Sequence, residues 1–299
     1  MTPTFISIII PAFNDSKGLR ATLDSLLALT YPRDRTELII IDNNSTDGTF
    51  EAAVSYRDKY SSLIKSEKET SRQSSYAARN KGISLASGEI IVFLDADMTV
   101  APDFLDRINA FFNTTGAEYA GYDVRILTGD KPNIYELYDK LNAFPVKGYL
   151  EARHFAPTCA LAVNKRIFDK TGSFDSTLGS SGDYEFGNRA HNKGIKQHFV
   201  PDITVYHPAR ATLSSHFSKA IRIGKGRSVV RSKGIKLSYE PGKEYYRYGF
   251  IKKEKDTLAL WDSVGPTKKL LMIILSKALF IVKSLSCILD TASRWSGGR

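Results

Sequence analysis

The sequence predicts an α/β fold: a Rossmann-like open mixed sheet flanked by helices, followed by a C-terminal helical extension. Short apolar runs rich in β-branched residues, typical of buried strands, occur at 5–11, 37–42 and 90–94. Helical periodicity fills the segments between these runs. Strands that alternate with helices form right-handed βαβ units, so the first strands should be parallel. Polar residues at their ends would then share one edge of the sheet, where open α/β folds bind ligands.

The elements after the first strand can be assigned in order along the chain. Asp15 or Ser16 can cap a helix that extends to residue 29. Four leucines of this helix recur at helical spacing: Leu19, Leu23, Leu26 and Leu27. The next segments are a turn at 43–48, a weaker strand candidate at 61–65 and a helix at 71–86.

Two carboxylates, Asp95 and Asp97, end the strand at 90–94. A sheet interior does not tolerate two unpaired carboxylates. At a strand end they can instead hold a hard divalent cation, which prefers oxygen ligands. A metal at this edge of an α/β sheet indicates a phosphate-bearing substrate. An isolated Asp-x-Asp pair is more often a polar turn that closes a strand, so the metal interpretation depends on the other segments.

Four segments resemble the successive signatures of family-two glycosyltransferases, and the resemblance extends over about the first 210 residues. They are Pro11-Ala-Phe-Asn14, Ile41-Asp-Asn-Asn-Ser-Thr-Asp-Gly48, Ala78-Arg-Asn-Lys-Gly82 and Phe93-Leu-Asp-Ala-Asp97. The resemblance implies a GT-A fold, a nucleotide-diphosphate-sugar donor and inversion at the anomeric carbon. Without it, residues 43–48 would be an ordinary Asx-rich turn and Arg79 part of a solvated helix face.

The resemblance also implies roles for individual residues. Asp42 would bind the nucleobase and Asp95 the ribose or the metal, while Asp97 would ligate Mn²⁺ or Mg²⁺. The full set of expected nucleotide-binding residues is Pro11, Ala12, Phe13, Asn14, Asp42, Arg72, Arg79, Asn80, Asp95 and Ala96.

The second half of the chain would supply the chemistry. A strand is expected at 158–163, then a short helix, then Gly179-Ser-Ser-Gly-Asp-Tyr-Glu-Phe186. This last segment resembles the family's Gly-Glu-Asp-x-Glu motif, with Gly182 in place of the first acid. Asp183 would then be the base that takes the acceptor hydroxyl's proton, and Glu185 a second acid that orients the acceptor. Alternatively, Asp183 caps the helix that follows.

His207 lies in Val205-Tyr-His-Pro208, which ends a strand candidate that follows another at 196–200. The family position implies that His207 completes the metal site, and imidazole is a suitable ligand beside a carboxylate. A histidine before proline is otherwise a surface turn residue. Gly224-Lys-Gly-Arg227 is glycine-rich, but no strand precedes it, so it is not expected to be a nucleotide loop.

Composition limits the class of protein and its partners. The two cysteines, Cys159 and Cys287, lie in apolar runs, which favours a reducing compartment over a disulfide framework. Residues 209–299 contain 19 Lys or Arg and 6 Asp or Glu, a formal charge of +13, whereas residues 1–208 carry −3. Such a basic segment can bind nucleic acid or an anionic membrane. No nucleic-acid-binding motif accompanies it, so nucleic acid is not expected as a partner.

The segment 268–289 favours the membrane. It is rich in Leu and Ile, and Lys269, Ser276, Lys283 and Asp290 recur every seven residues on one helical face. Lys277 and Lys283 in mid-segment argue against a simple transmembrane span. An amphipathic helix in the headgroup region is expected instead. Packing of this helix on the catalytic domain or on a second subunit is the alternative.

These features predict three regions. Residues 1–230 would be a GT-A catalytic domain with a nucleotide-sugar half at about 1–100 and an acceptor half at about 101–230. Residues 231–264 would be a polar linker or acceptor-side loop, and 265–299 an amphipathic helical tail.

The predicted function is a metal-dependent inverting glycosyltransferase that uses a UDP-sugar and a glycan or lipid-linked acceptor. It would serve surface polysaccharide or glycolipid synthesis, peripherally at the cytoplasmic face of the membrane, with a homodimer as one option. The alternative, kept open by Gly182, is a non-catalytic nucleotide-binding scaffold of a glycan assembly complex.

Overall fold

The structure is a computed structural model that describes residues 2–238, 246–247, 249–252 and 254–296. Most of its strands are short and come from the first 208 residues. The strands are β1 (Ile6–Ala12), β2 (Thr36–Asp42), β3 (Ile64–Lys68), β4 (Ile90–Phe93), β5 (Thr99–Val100), β6 (Tyr119–Leu127), β7 (Leu161–Asn164), β8 (Gln197–Pro208), β9 (Tyr246–Arg247) and β10 (Ile251–Lys252).

Helices connect the strands and cover both faces of the sheet. The helices are α1 (Ser16–Leu27), α2 (Thr49–Lys59), α3 (Ser75–Leu85), α4 (Phe104–Thr115), α5 (Ile134–Asn142), α6 (Val146–Arg153), α7 (Ile167–Thr171), α8 (Gly182–Asn192), α9 (Leu213–Ser232), α10 (Lys255–Ser263) and α11 (Pro266–Ser296). Asp15 is the cap of α1, since its side chain accepts the Gly18 N–H at 2.9 Å.

Eight of the strands form one mixed sheet in the order β3-β2-β1-β4-β7-β6-β8-β5. The first four of these neighbours are parallel, β7 is antiparallel to both β4 and β6, and β8 is parallel to β6. β2 and β3 lie on one side of β1, and β4 lies on its other side. The strand order therefore reverses at β1. This switch point leaves a crevice at the carboxyl ends of the strands. The predicted open mixed sheet with flanking helices and a C-terminal helix is confirmed.

The apolar runs of β1, β2 and β4 are buried on both faces, which explains their continuous hydrophobicity. The strand predicted at 61–65 is displaced to Ile64–Lys68. The N–H groups of Leu63 and Ile64 still bond to the Tyr60 carbonyl at the end of α2, so sheet pairing begins only at Ile64. As an edge strand, β3 then alternates between buried and exposed residues and needs no apolar run.

Two further expectations differ from the structure. Thr158–Ala160 forms a 3₁₀ turn, and the strand begins only at Leu161. The separate strands expected at 196–200 and 205–208 are one strand, β8. Its register against β6 shifts between Val200 and Thr204, where Pro201 has no N–H to donate to the ladder.

Residues 231–264 contain more regular structure than a linker would. The short strands β9 and β10 pair in antiparallel fashion, and α10 follows them. Phe250 and Trp261 from this region are buried in a small second hydrophobic cluster with side chains of α5 and α11.

Helix α11 packs along α9 with its polar residues toward the protein and its apolar residues toward the outside. The polar stripe Lys269, Ser276, Lys283 and Asp290 is half-buried on the protein side. The outer face is exposed and apolar, with Leu270, Leu271, Ile274, Phe280, Ile281, Leu285, Ile288 and Leu289. The structure shows this helix packed on the catalytic domain, which was the alternative to a helix in the headgroup region, and the exposed apolar face leaves the membrane contact a prediction. By length and composition, Pro266–Ser293 could also cross a membrane, and only 17% of its most apolar stretch is buried.

Gly224 permits this close packing, and Gly226 lets the loop before α8 approach α9. A Cβ at Gly224 would collide with the Lys283 carbonyl oxygen and approach the Ser286 Cβ to 2.8 Å. A Cβ at Gly226 would lie 2.6 Å from the Ser180 Cβ. The segment Gly224-Lys-Gly-Arg227 therefore lies inside α9, where Gly224 lets the backbone of α11 approach and Gly226 lets Ser180 approach.

Substituting Gly224 with alanine should force α11 away from α9. We expect the free energy of unfolding to fall by about 1–3 kcal/mol, as is usual for overpacking. Gly265→Ala is a matched control, because nothing lies within 4 Å of a Cβ built there. Urea denaturation of the two variants tests the contact, and equal stability of both would show that α11 does not pack this closely.

Candidate active site

The carboxyl ends of β1 and β2 bring Ala12 beside Asp42. Asp42 is fully buried, and its Oδ2 accepts the Ser45 N–H at 3.1 Å. Its Oδ1 is also buried and has no hydrogen-bond partner among the described residues. A buried acceptor without a donor is costly by about 1–3 kcal/mol, so this oxygen is suited to a donor from a ligand.

The loop after β1 is braced against the turn after β2. Asn14 adopts a left-handed conformation with φ of 48°. Its Oδ1 accepts the Thr46 N–H at 2.8 Å, and its own N–H donates to Ser45 Oγ at 3.0 Å. The Asn14 amide thus shapes the crevice wall. Phe13 leaves 48% of its surface exposed there, whereas Pro11 is only half-buried and Ala12 is buried.

Arg79 lies inside α3, only 3% exposed, and faces the end of β4. Its Nη2 is 2.5 Å from Asp95 Oδ1, and its Nη1 donates to the Ser75 carbonyl at 3.3 Å. The guanidinium also lies over the Tyr76 ring, 5.7 Å from the centroid. Arg79 is therefore a buried cation that fixes Asp95, and it does not belong to a solvated helix face. Ala96, the next residue after Asp95, is buried.

Asp97 and His207 meet across the sheet edge, with 3.5 Å between Asp97 Oδ2 and His207 Nε2. His207 Nδ1 lies 2.6 Å from the Pro208 carbonyl oxygen, a contact that requires the Nδ1–H tautomer in neutral imidazole. The Nε2 lone pair then faces the carboxylate, as it does in metal-binding histidines. Burial raises the pKa of Asp97, opposed by His207 and reinforced by Asp95.

Asp97 and His207 fit a divalent cation whose remaining ligands come from a bound molecule or from water. One carboxylate oxygen and one imidazole nitrogen converge, and a cation would relieve the cost of burying Asp97. Across the described ranges, no group of three or more His, Cys, Asp or Glu could hold a metal by itself. A metal bound here would depend on oxygens from a ligand or water.

Asp183 lies in the first turn of α8, and it is not the helix cap, a position held by Ser181 with φ of 68°. Its Oδ1 accepts the Tyr184 N–H at 2.9 Å and lies 3.4 Å from the Tyr76 hydroxyl. Burial raises the pKa of the Asp183 carboxyl, and the Tyr184 N–H and nearby guanidinium groups offset only part of that rise.

Gly182 is where the family's first acid was expected, and Tyr76 explains the difference. A Cβ at Gly182 would lie 2.7 Å from the Tyr76 ring, so any side chain there would displace the ring. Tyr76 was not predicted as a site residue, although it lies three residues before Arg79 on the same face of a helix, and that spacing could have revealed it.

Three predicted site residues have other environments. Glu185 forms a two-pronged ion pair with Arg189, at 2.7 and 2.8 Å, and Arg189 also bonds the Gly172 and Ser173 carbonyls. The Asn80 amide bonds both the N–H and the carbonyl of Phe174. Arg72 is exposed at the start of the segment before α3. The contacts of Glu185 and Asn80 hold the loop between α7 and α8 in place.

A cavity of about 1000 Å³ opens beyond Asp183 and Tyr76. It is bounded by α5, α6, the start of α8, α9 and the 276–283 portion of α11. Gly249 and Phe250, from the region predicted as a linker or acceptor-side loop, also line it. Asp183 is thus at the boundary between the sheet edge and a separate large cavity.

Comparison with known proteins identifies the family. The model of glycosyl transferase family 2 matches residues 7–174. The glycosyltransferase AglE of Haloferax volcanii is 34% identical over 233 residues, which span 77% of this chain and 76% of that protein. The chain belongs to glycosyl transferase family 2. It is a glycosyltransferase, as the resemblance of its motifs implied.

Solved structures show the same fold for this family 2 glycosyltransferase. The mannosyltransferase PcManGT from Pyrobaculum calidifontis, in complex with GDP-Man and Mn²⁺, superposes with a TM-score of 0.61 at 19% identity, covering 100% of this chain and 80% of that one. S. aureus TarS 1–349 in complex with UDP-GlcNAc gives 0.56 at 17% identity, covering 98% and 92%. The expected GT-A-like architecture is confirmed.

Asp183 and Glu185 should differ in what they contribute to the stability of this glycosyltransferase. Asp183 has a raised pKa, so its charged form costs stability above the ordinary carboxyl pKa. Asp183→Asn should therefore unfold at or above the wild-type temperature at pH 7, and this advantage should vanish below about pH 4, where both states are protonated. Glu185→Gln should lose about 1–3 kcal/mol, because it weakens charge-assisted bonds to a partly buried guanidinium.

Thermal melting at the two pH values measures both effects. A strongly destabilised Asp183→Asn variant at pH 7 would show that the carboxylate is needed for the fold.

Proposed function

We propose that this chain is a metal-dependent, inverting glycosyltransferase that transfers a sugar from a UDP-sugar to a glycan or lipid-linked acceptor. The role fits surface polysaccharide or glycolipid synthesis at the cytoplasmic face of a membrane. The observation that carries the proposal is one series of contacts. Asp183 touches Tyr76, Tyr76 lies under Arg79, and Arg79 holds Asp95, two residues before Asp97. These contacts would hold the proposed general base, Asp183, in a fixed position relative to the proposed metal-binding residue Asp97.

The donor's nucleotide would occupy the crevice at the ends of β1 and β2. The unpartnered Oδ1 of Asp42 would accept a base N–H, and Phe13 offers an exposed ring against which the base can stack. Uracil has one ring N–H suited to such an acceptor. Neighbouring structures contain either GDP-Man or UDP-GlcNAc, so GDP is the alternative nucleotide.

Asp97 and His207 would hold Mn²⁺ or Mg²⁺ together with oxygens of the diphosphate. Such a cation, when bound, offsets the negative charge that develops on the departing nucleotide diphosphate. Arg79 would keep Asp95 oriented beside it. The complex of PcManGT with Mn²⁺ supports this assignment by analogy of fold.

Asp183 would act as the general base. It would accept the proton of the acceptor hydroxyl as the oxygen attacks the anomeric carbon from the face opposite the diphosphate, which inverts that centre. A carboxyl with a raised pKa is a better proton acceptor than an ordinary one. The Tyr76 hydroxyl would hold the carboxylate in one orientation. Because Tyr76 fills the space next to Gly182, the missing acid there gives no reason to prefer a non-catalytic scaffold.

The exposed apolar face of α11 would contact the membrane. Monomeric soluble proteins rarely expose a continuous patch of this kind. The helix would lie along the surface with its apolar side in the lipid, which also suits an acceptor that is itself a membrane lipid.

Substitutions of the metal-binding pair test the cofactor. Asp97→Ala should abolish Mn²⁺-dependent transfer and Mn²⁺-dependent UDP binding while the protein stays folded. His207→Ala should weaken both less, since water can replace an imidazole ligand. Asp34→Ala, at an exposed aspartate, is the control. Isothermal titration of UDP with and without Mn²⁺ makes the measurement, and wild-type behaviour of folded Asp97→Ala would refute the metal site.

A donor screen and a base variant test the reaction. Released nucleotide from UDP-, GDP- and dTDP-sugars identifies the donor. With that donor, Asp183→Asn should bind nucleotide normally but lose turnover by a factor on the order of 100 or more. Glu185→Gln should keep most of its turnover at a temperature where it is folded. An active Asp183→Asn beside an inactive Glu185→Gln would transfer the role of base to Glu185.

A further inference from the structure

Phe144 has a backbone conformation that a phenylalanine rarely adopts. Its φ is 53°, in the left-handed region that favours glycine. Pro145 follows it, and the residue before a proline is normally extended. Two unfavourable features at one position persist only when the surrounding structure imposes them, and such positions cluster at functional sites. The fold therefore maintains the place of the Phe144 side chain against backbone strain.

The turn that contains Phe144 is short and closed by hydrogen bonds. Only residues 143–145 join α5 to α6. The Ala143 N–H donates to the Asp139 carbonyl at 2.7 Å, and the Val146 N–H donates to the Phe144 carbonyl at 2.9 Å. Pro145, with φ of −75° and ψ of 71°, is the centre of this inverse γ-turn. These bonds fix the direction in which the Phe144 side chain leaves the backbone.

Helix α5 is also bonded to the segment that follows His207. The Arg210 N–H donates to Asp139 Oδ2 at 3.0 Å, and the Arg210 guanidinium lies 3.3 Å from the same oxygen. The Asn133 side-chain amide donates to the Ala211 carbonyl at 3.0 Å. Asp139 is only 2% exposed, so its ion pair with Arg210 is costly to break. The end of β8 and the turn after α5 are thus held together.

The Phe144 ring contacts the sheet edge on one hand and the cavity on the other. It packs beside the His207 imidazole, with 5.4 Å between the ring centroids and 48° between the planes. Lys219 Nζ lies 5.3 Å from the Phe144 centroid, within the range of a cation–π contact. His207 is only 5% exposed, whereas Phe144 is half-buried.

These contacts place Phe144 at the boundary between two parts of the site. Phe144 and Lys219 line the large cavity, as Asp183 does. Asp97 and His207 are not among its described lining residues. Because the Phe144 ring touches His207 and also faces the cavity, it forms part of the wall between the metal-binding pair and the cavity.

Hydrogen bonding alone holds the His207 imidazole weakly. Its Nδ1 lies 2.6 Å from the Pro208 carbonyl oxygen, and its Nε2 lies 3.5 Å from Asp97 Oδ2. The second side-chain torsion of histidine has a broad energy profile, so one hydrogen bond does not prevent the ring from tilting. An aromatic ring packed beside the imidazole restricts that tilt. Groups that orient a metal ligand contribute strongly to metal affinity.

We propose that Phe144 is a positioning residue for the metal-binding pair. Its ring keeps the His207 imidazole turned with Nε2 toward Asp97 and screens the pair from the water of the cavity. The left-handed backbone at Phe144 is what places the ring there. This inference rests on the proposed metal-dependent function, because the orientation of the imidazole matters when it holds a cation.

Mn²⁺-dependent nucleotide binding by the full chain tests this role without turnover. UDP and GDP are each titrated by calorimetry in the presence of Mn²⁺ and again in EDTA. Phe144→Ala should weaken the Mn²⁺-dependent binding about tenfold, as is usual when a group that orients a metal ligand is lost. Any binding that remains in EDTA should not change, because Asp42 and Phe13 at the proposed nucleotide crevice are untouched.

Three further variants separate positioning from stability. Phe144→Gly also lacks the ring but adopts a positive φ without strain, so it should melt at or above the temperature of Phe144→Ala yet bind the Mn²⁺-nucleotide as weakly. Phe144→Tyr keeps the ring and should retain wild-type binding. Phe111→Ala is the matched control, since the half-buried Phe111 packs on His198, earlier on the same strand β8, with 5.7 Å between the ring centroids. It should bind the Mn²⁺-nucleotide normally.

The outcomes distinguish this inference from the function on which it rests. Mn²⁺-dependent binding that is normal in folded Phe144→Ala or Phe144→Gly would overturn the positioning role alone. An equal loss in Phe111→Ala would also overturn it, in favour of a general effect of core packing. A wild-type chain whose nucleotide binding ignores Mn²⁺ would reject the metal-dependent function, and the positioning role with it.

Discussion

The buried ion pair between Arg79 and Asp95 is the interaction on which the active site depends. A guanidinium that is almost fully removed from water cannot lose its carboxylate partner without a large cost. Its position fixes the side of α3 that faces the sheet edge, and with it Tyr76. Tyr76 in turn sets the place of Asp183 and excludes a side chain at Gly182. The positions of Asp95, Tyr76 and Asp183, which belong to three separate segments, thus depend on the Arg79–Asp95 ion pair.

The helical side of the molecule, formed by α9 and α11, follows a different principle. There the geometry comes from helix packing, in which Gly224 and Gly226 let α11 and the loop at Ser180 approach α9 closely. Close approach brings the polar stripe of α11 against α9 and leaves the apolar face outside. The sheet and the helical layer therefore meet at Asp183, with the crevice at the ends of β1 and β2 on one side and the large cavity on the other.

The parts of this arrangement that the sequence predicts are those with a local signal. Strands β1, β2 and β4 are buried on both faces, so each is a continuous apolar run, and the polar residues at their ends follow directly. Asp97 and His207 were both expected at one site, and the structure brings them within 3.5 Å. The displaced β3 and the irregular β8 depend on neighbouring strands, which leave little trace in composition.

Other features depend on partners that are distant along the chain. Glu185 matches a motif position, but Arg189 occupies both of its oxygens. Asn80 also matches, yet its amide is bonded to the backbone at Phe174, 94 residues away. The seven-residue period of the polar stripe on α11 is visible in the sequence. The period does not say whether that face points toward the protein or away from it. In the structure that face packs against α9, where Gly224 lies close to the backbone of Lys283.

The contact of Gly182 with the Tyr76 ring restricts how the chain can vary over evolutionary time. An acidic residue at 182 requires a smaller residue at 76, and the loss of the ring leaves a hole unless position 182 gains a side chain. Either change alone passes through a clash or a void, so the effects of the two substitutions cannot be additive. Positions 76 and 182 therefore form an epistatic pair. A lineage that exchanged one arrangement for the other had to substitute both residues, which lie in the two helices α3 and α8.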